Sequence, residues 1–240
     1  MLIILDNLIF AAMHKKPYGK RYDPCDQSKY KHFTSIDMAI KWARKYYSDW
    51  SRKYEDIYGP GNTNDLINYM ENFWTHDPIR NYCGYGSLKL NGYLRKTSRI
   101  FIDQSNYNDA LVTLLLFAPR IPENVVVYRY VPDIVIKAVL KENKAGRHYT
   151  DNGFMSCRLL FDPKDKEFFN YENVLELHVD KHTVGAYVNL IQGCERYEYE
   201  LLILRNAQMF LIDYPYEREN RMVYPMRLRN ITDSISPFFS

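Results

Sequence analysis

Two hundred and forty residues is the length of one large domain or two small ones, and 46% hydrophobic with 25% charged residues is the balance of a folded chain, which excludes general disorder. The net charge of +3 is too small to mark a dedicated nucleic-acid binder. Aromatic residues are in surplus at 15%, with 22 Tyr, 12 Phe and 3 Trp, a stock of flat side chains able to stack on rings and to hydrogen-bond at one edge.

Residues 1–33 stand as an N-terminal extension. The opening MLIILDNLIF is apolar, but no basic stretch precedes it and Asp6 interrupts it, so a core element or a partner-binding segment is expected rather than a signal peptide. No window approaches 18 uncharged apolar residues, so no membrane span is expected. Cys25, Cys83, Cys157 and Cys194 lack the short spacings of a zinc knuckle or redox pair. That suits four reduced thiols in a cytoplasm and no metal.

From Thr34 to Tyr47 a Thr/Ser cap, an acidic Asp37 and apolar residues at helical spacing predict an amphipathic helix. The turn cluster GPGNTND at 59–65 leads into a second predicted helix, Leu66 to Trp74, which ends at His76-Asp77-Pro78. Gly84 and Gly86 form a loop that enters a short helix in NYCGYGSLKLNGYLRK, 81–96, and a further helix over about 105–118 stops before Pro119. Residues 34–120 are thus a helical lobe. After Pro122 the apolar period changes to two, giving strands over 124–131, 174–180, 186–191, 199–204 and 207–213. A last strand over 223–228 is expected at a sheet edge because of Pro225. With strands following one another and no helices expected between them, the reading is α+β: N-terminal helices packed on a mainly antiparallel β-sandwich over 121–232, within a single domain spanning 34–240.

Three features carry chemistry. In ERYEYELLIL, 195–204, a strand from 198 would put Glu198 and Glu200 on one face about 7 Å apart. Two such carboxylates can divide labour at one reaction centre, one stabilising developing positive charge and one activating a nucleophile. In VVVYRYV, Val125, Val127 and Arg129 share a face, which sets a guanidinium at the end of an apolar row and suits phosphate. In HYTDNGFMSC, a turn over Thr150–Gly153 delivers Ser156 at the start of a strand, where its hydroxyl can orient a carboxylate. By contrast, His178 and His182 fall about 13 Å apart along a strand, which does not make a metal pair.

Taken in order, Arg129 in a VYR strand, GFMSC in the place of a GF-x-S-T-S segment and EYELLI in the place of E-x-E-[IV]-L-L resemble the Arg/Ser/Glu signature of mono-ADP-ribosyltransferases, the clostridial binary toxin and VIP2-like branch above all. YCGYGSLKLNGYLRK and PENVVVYR are similar to two further segments of that family, and the likeness runs from about residue 35 to 213. The segment departs from S-T-S after its first serine, reading Ser156-Cys157-Arg158.

The resemblance implies the ADP-ribosyltransferase fold and an enzyme that splits the nicotinamide–ribose bond of NAD and transfers ADP-ribose. On that basis Arg129 holds an NAD phosphate, Ser156 steadies Glu200, and Glu200 binds the nicotinamide ribose and stabilises the cation, while Glu198 activates the acceptor. Tyr82 and Asn91 line the adenosine side. Phe168 or Phe169, with Lys164 or Lys166, would meet the nicotinamide and phosphates. A Glu at position 198 points to a protein arginine as acceptor. An RNA or DNA base, which the tyrosines could stack, and a catalytically inactive NAD- or partner-binding module are the alternatives.

Overall fold

The structure, a computed structural model, describes residues 25–59, 76–97, 104–162, 171–194 and 199–230. The helix predicted over 66–74, Glu198, Phe168, Phe169, Lys164, Lys166 and most of the N-terminal extension lie outside the described residues.

Helix α1 (Ile36–Tyr58) opens where Ser35 Oγ accepts the Met38 N–H at 3.2 Å, with Asp37 in the first turn. It runs eleven residues past the predicted end at Tyr47, because the apolar stripe of Ala39, Trp42, Ala43 and Tyr47 continues through Trp50 and Tyr54. Those rings form a ladder, with centroids 5.6 Å apart from Trp42 to Tyr47, 6.4 Å on to Trp50 and 6.2 Å on to Tyr54. Helix α2 (Pro78–Asn81) starts with Pro at its first position and passes into a π-helical turn, Tyr82–Gly86, then α3 (Ser87–Leu94). Helix α4 (Ser105–Phe117) ends one residue short of the predicted boundary.

Arg80 ties this lobe together. Its guanidinium bonds Asp77 at 2.5 Å, the Tyr58 carbonyl at 2.8 Å, Glu55 and the Gln192 carbonyl, while Gln192 N–H returns to Glu55 at 2.6 Å. One cation thereby joins α1, α2 and a loop of the strand region.

The strands are β1 (Val125–Val131), β2 (Tyr149–Asp151), β3 (Met155–Arg158), β4 (Asn173–Val179), β5 (Gly185–Tyr187), β6 (Glu200–Ile203), β7 (Ala207–Leu211), β8 (Tyr216–Arg218) and β9 (Arg221–Asn230). They lie in the order β2-β7-β9-β4-β1-β3-β6-β5, with β8 beside β9. Pairing is antiparallel throughout the described strands except between β4 and β9. Between β1 and β3 the path narrows to one residue pair, Tyr128 with Arg158. The protein is α+β, as the sequence indicates, with a mixed sheet.

Two expectations are corrected. A helix does stand between strands: α5 (Asp133–Lys144) starts after Pro132, carries Asp133 in its first turn and Lys141 and Lys144 in its last, and docks through buried Ile136, Val139 and Asn143. Asn143 accepts the Leu211 N–H at 2.9 Å, anchoring the helix on β7. The strand that holds Pro225 is interior, not an edge. Pro225 faces Glu176 of β4 on one side, and on the other its carbonyl accepts from Ile212. Its missing N–H points the same way as that carbonyl, toward Ile212 just past the end of β7, so the proline forgoes only the one return bond at the point where the β7 ladder ends.

One core joins the helices to the sheet face that holds Val125, Val127, Leu175, Leu177 and Leu202. A smaller cluster of Tyr30, Val126, Tyr128, Tyr130, Val174 and Val223 packs on the opposite face.

Candidate active site

Strand β1 places Arg129, β3 places Ser156 and β6 places Glu200, and all three line one cleft of about 740 Å³ together with Tyr82 and Asn91 from the π-turn and α3. Period two accounts for each bank of the cleft taken separately. Val125 and Val127 go into the core and Arg129, next in their row, reaches the cleft. Across β3 and β6, Ser156 pairs with Leu202 and Arg158 with Glu200, so Ser156 and Glu200 are diagonal neighbours on one face.

Arg129 is the electrostatic focus. Its Nη2 stands 3.9 Å from Asp151 Oδ2, and its buried Nη1 has no hydrogen-bond partner. Burial opposes the charge, yet the Asp151 carboxylate beside it holds the guanidinium pKa above its ordinary value. A buried cation with an unfilled N–H fits an anionic oxygen, and a nucleotide phosphate supplies one. Asp151 is already gripped by Arg95, at 2.7 Å from Nε and 3.0 Å from Nη2, so it neutralises Arg129 in part without closing its fork.

Tyr82 and Asn91 line the cleft but act on its wall. Asn91 Oδ1 accepts the Phe154 N–H at 2.8 Å, and its Nδ2 donates to the Tyr82 hydroxyl at 3.0 Å. The Tyr82 ring meets Phe154 edge-on with centroids 5.9 Å apart and is only 2% exposed, which leaves little of its face for a stacked ring. Burial and the nearby Glu200 carboxylate push its phenol pKa upward, so the hydroxyl stays neutral. Gly153 makes the brace possible: a Cβ there would fall 2.6 Å from Asn91 Oδ1 and 2.7 Å from Arg95 Cζ.

Glu200 is 4% exposed, and the Cys83 thiol points at its Oε2 from 3.9 Å. The strand begins at Glu200 itself, and Tyr199 takes φ 47, in the left-handed region, so a regular strand does not run through 199. The strand thus starts one residue after Tyr199, and Glu198 lies outside the described residues. Burial pushes the Cys157 thiol up to about 12, which keeps the residue that replaces the family's threonine an uncharged core group.

Arg95, Asp151 and Arg158 also line the cleft, and the sequence reading assigns them no role. The Asp-Asn-Gly turn holds Asp151, and NGYLR ends on Arg95, but nothing local says that the two meet over 56 residues of chain. Among the described residues no group of three or more His, Cys, Asp or Glu side chains could hold a metal ion.

An arginine fork set for phosphate, a hydroxyl and a buried carboxylate in one cleft define a protein of the group-transferring, nucleotide-handling class. The chain belongs to the ADP-ribosyltransferase exoenzyme family, whose model matches residues 39–223. A search of curated proteins finds no match. Among solved structures, the chain is similar to the ADP-ribosylating toxin BECa of a binary enterotoxin of C. perfringens, determined with NADH, at TM-score 0.57 and 18% identity over 83% of this chain and 50% of that one. It is also similar to the C3 exoenzyme of Clostridium limosum, at TM-score 0.54 and 16% identity over 84% of this chain and 98% of that one. The enzymatic component C2-I of the C2 toxin from Clostridium botulinum gives TM-score 0.56 and 16% identity over 79% and 46%. At such identities the likeness is one of fold. The chain spans about half the length of BECa and C2-I and nearly all of the C. limosum exoenzyme.

Proposed function

We propose that this chain is an NAD-dependent mono-ADP-ribosyltransferase of toxin type that cleaves NAD at the nicotinamide–ribose bond and passes ADP-ribose to a macromolecular acceptor, a protein arginine first. The observation that carries the reading is the convergence of Arg129, with its unfilled Nη1, Ser156 and Glu200 on one cleft. Arg129 binds an NAD phosphate. The buried Glu200 carboxylate binds the ribose hydroxyls and stabilises the positive charge that develops at the anomeric carbon as nicotinamide departs. Ser156 orients that carboxylate. Glu198 takes the proton from the acceptor, and its being Glu favours a guanidinium nucleophile. Asn91 and Tyr82 hold the cleft wall through Phe154, and Phe168 or Phe169 covers the nicotinamide. The site works in the cytoplasm of the producing or the target cell, and the N-terminal segment serves either as part of the core or as a handle for an antitoxin or chaperone.

Incubation of the purified protein with NAD should release nicotinamide, and Glu200→Gln should stop the release while leaving NAD affinity within about threefold. Labelled NAD added to a cell lysate should mark a protein. Label lost to nuclease and resistant to protease would move the acceptor to nucleic acid. No nicotinamide release with any lysate would leave a binding module only.

A further inference from the structure

The glutamate that the proposed chemistry depends on sits at the first residue of a strand, where a sheet ladder is weakest. Strand β5 pairs with β6 as Gly185 with Ile203, Ala186 with Leu202 and Tyr187 with Leu201, and it stops there. One more ladder bond survives, from Val188 N–H to the Glu200 carbonyl at 3.1 Å. In a continuous antiparallel pair the Glu200 N–H would answer with a bond to Val188. Instead it donates to the side-chain Oδ1 of Asn189 at 2.5 Å. The chain before it is also under conformational tension, since Tyr199 holds φ 47 while its carbonyl accepts from Leu159 at 3.2 Å.

We propose that Asn189 is a positioning residue for Glu200, its side-chain oxygen standing in for a missing strand partner and fixing the main chain of the glutamate at the mouth of β6. The inference rests on the role given to Glu200 above. The direction in which Glu200 points depends on where the strand starts: a one-residue slip would turn Glu200 away from the cleft and offer Tyr199 or Leu201 in its place. Besides the ladders that β6 makes with β3 and β5, three bonds at its mouth resist the slip. Leu159 holds the residue before Glu200, Val188 holds its carbonyl, and Asn189 holds its amide. Two are main-chain bonds that any sequence can make. The third needs a side chain whose acceptor reaches back across the end of β5, and that is the one substitution can remove. An amide side chain suits the place because its oxygen accepts without bringing a second charge beside a carboxylate.

The test compares wild type with Asn189→Leu, which keeps the shape and removes the acceptor, and Asn189→Asp, which keeps an oxygen in place. Nicotinamide release from NAD should show kcat about ten- to hundredfold lower in Asn189→Leu. KM for NAD should stay within about twofold. Asn189→Asp should recover the Glu200 anchor but only part of the rate, because its charge stands beside the Glu200 carboxylate. Amide hydrogen exchange at Glu200 should speed up in the Leu variant and not in the Asp variant. If Asn189→Leu fails to fold, Asn189→Ala takes its place. A Leu or Ala variant with wild-type kcat and wild-type Glu200 protection overturns the proposal, as does a loss confined to KM. A wild type that releases no nicotinamide overturns the catalytic reading, and in that case the Glu200 amide alone decides whether Asn189 is its anchor.

Discussion

Asp151 Oδ2 lies 3.9 Å from Nη2 of Arg129, close enough to offset its charge and too far to claim its hydrogens. The carboxylate is held off by Arg95, which takes both of its oxygens. Arg129 therefore stays ionised while its buried Nη1 is left without a hydrogen-bond partner. Arg129→Lys preserves the charge and loses the planar fork, so isothermal calorimetry should show NAD binding weakened about tenfold or more, some 1.4 kcal/mol. Equal affinity would mean that a point charge is enough there.

Gly153→Ala forces a methyl group onto Asn91 Oδ1 and Arg95 Cζ. Neither neighbour can yield freely, since each is bonded to Phe154. Thermal denaturation should show a loss of about 1–3 kcal/mol, the range for overpacking, and KM for NAD should rise as the wall shifts. An unchanged melting temperature would show that the brace is slack.

Arg80→Ala leaves Asp77 and Glu55 without their shared cation, both at a side-chain exposure of 25% or less. Removing one partner of such a network should cost about 3–5 kcal/mol in urea unfolding, even though the whole network replaced by apolar groups would cost far less. The triple change to Leu at positions 55, 77 and 80 should therefore be milder than Arg80→Ala alone.

Acid stability should depend on Glu176. Burial pushes its pKa upward, but bonds from His178 and the Tyr216 hydroxyl, the latter at 2.7 Å, outweigh burial and hold it below the ordinary 4.5. A depressed carboxylate adds stability above its unfolded pKa and loses it as pH falls through the folded one. The folding free energy should thus decline below about pH 4.5. Glu176→Gln should flatten that part of the curve in denaturant titrations at stepped pH, and a slope equal to wild type would exclude Glu176 as its source.

Part of the candidate site was legible because strand geometry is local. Once VVVYRYV reads as a strand, period two puts Arg129 with Val125 and Val127. What a local rule misses is who lies next door. Pro225 suggests an edge, and only the pairing of β9 with β4 on one side and β7 on the other shows that the proline sits at the end of the β7 ladder in an interior strand. The run from Ile134 to Leu140 is rich in β-branched residues and hides a helix that its ends announce, through Pro132 and Asp133 at the start and Gly146 after the finish. The aromatic surplus was the least legible feature. Tyr30, Tyr47, Tyr54, Tyr82, Tyr107, Tyr128, Tyr130, Tyr187 and Tyr224 are all buried, so these rings build the core, while Tyr85 stays open on the rim of the cleft.

The single residue pair that joins β1 to β3 runs beneath the cleft. Arg129 stands on one bank and Ser156 and Glu200 on the other, so a dinucleotide held as proposed, its phosphate at Arg129 and its ribose at Glu200, would cross the thinnest part of the sheet. A substrate that touches both banks is itself the missing rung. Occupancy by NAD should raise the melting temperature in proportion to the logarithm of its concentration and tighten the two halves against each other as it does so.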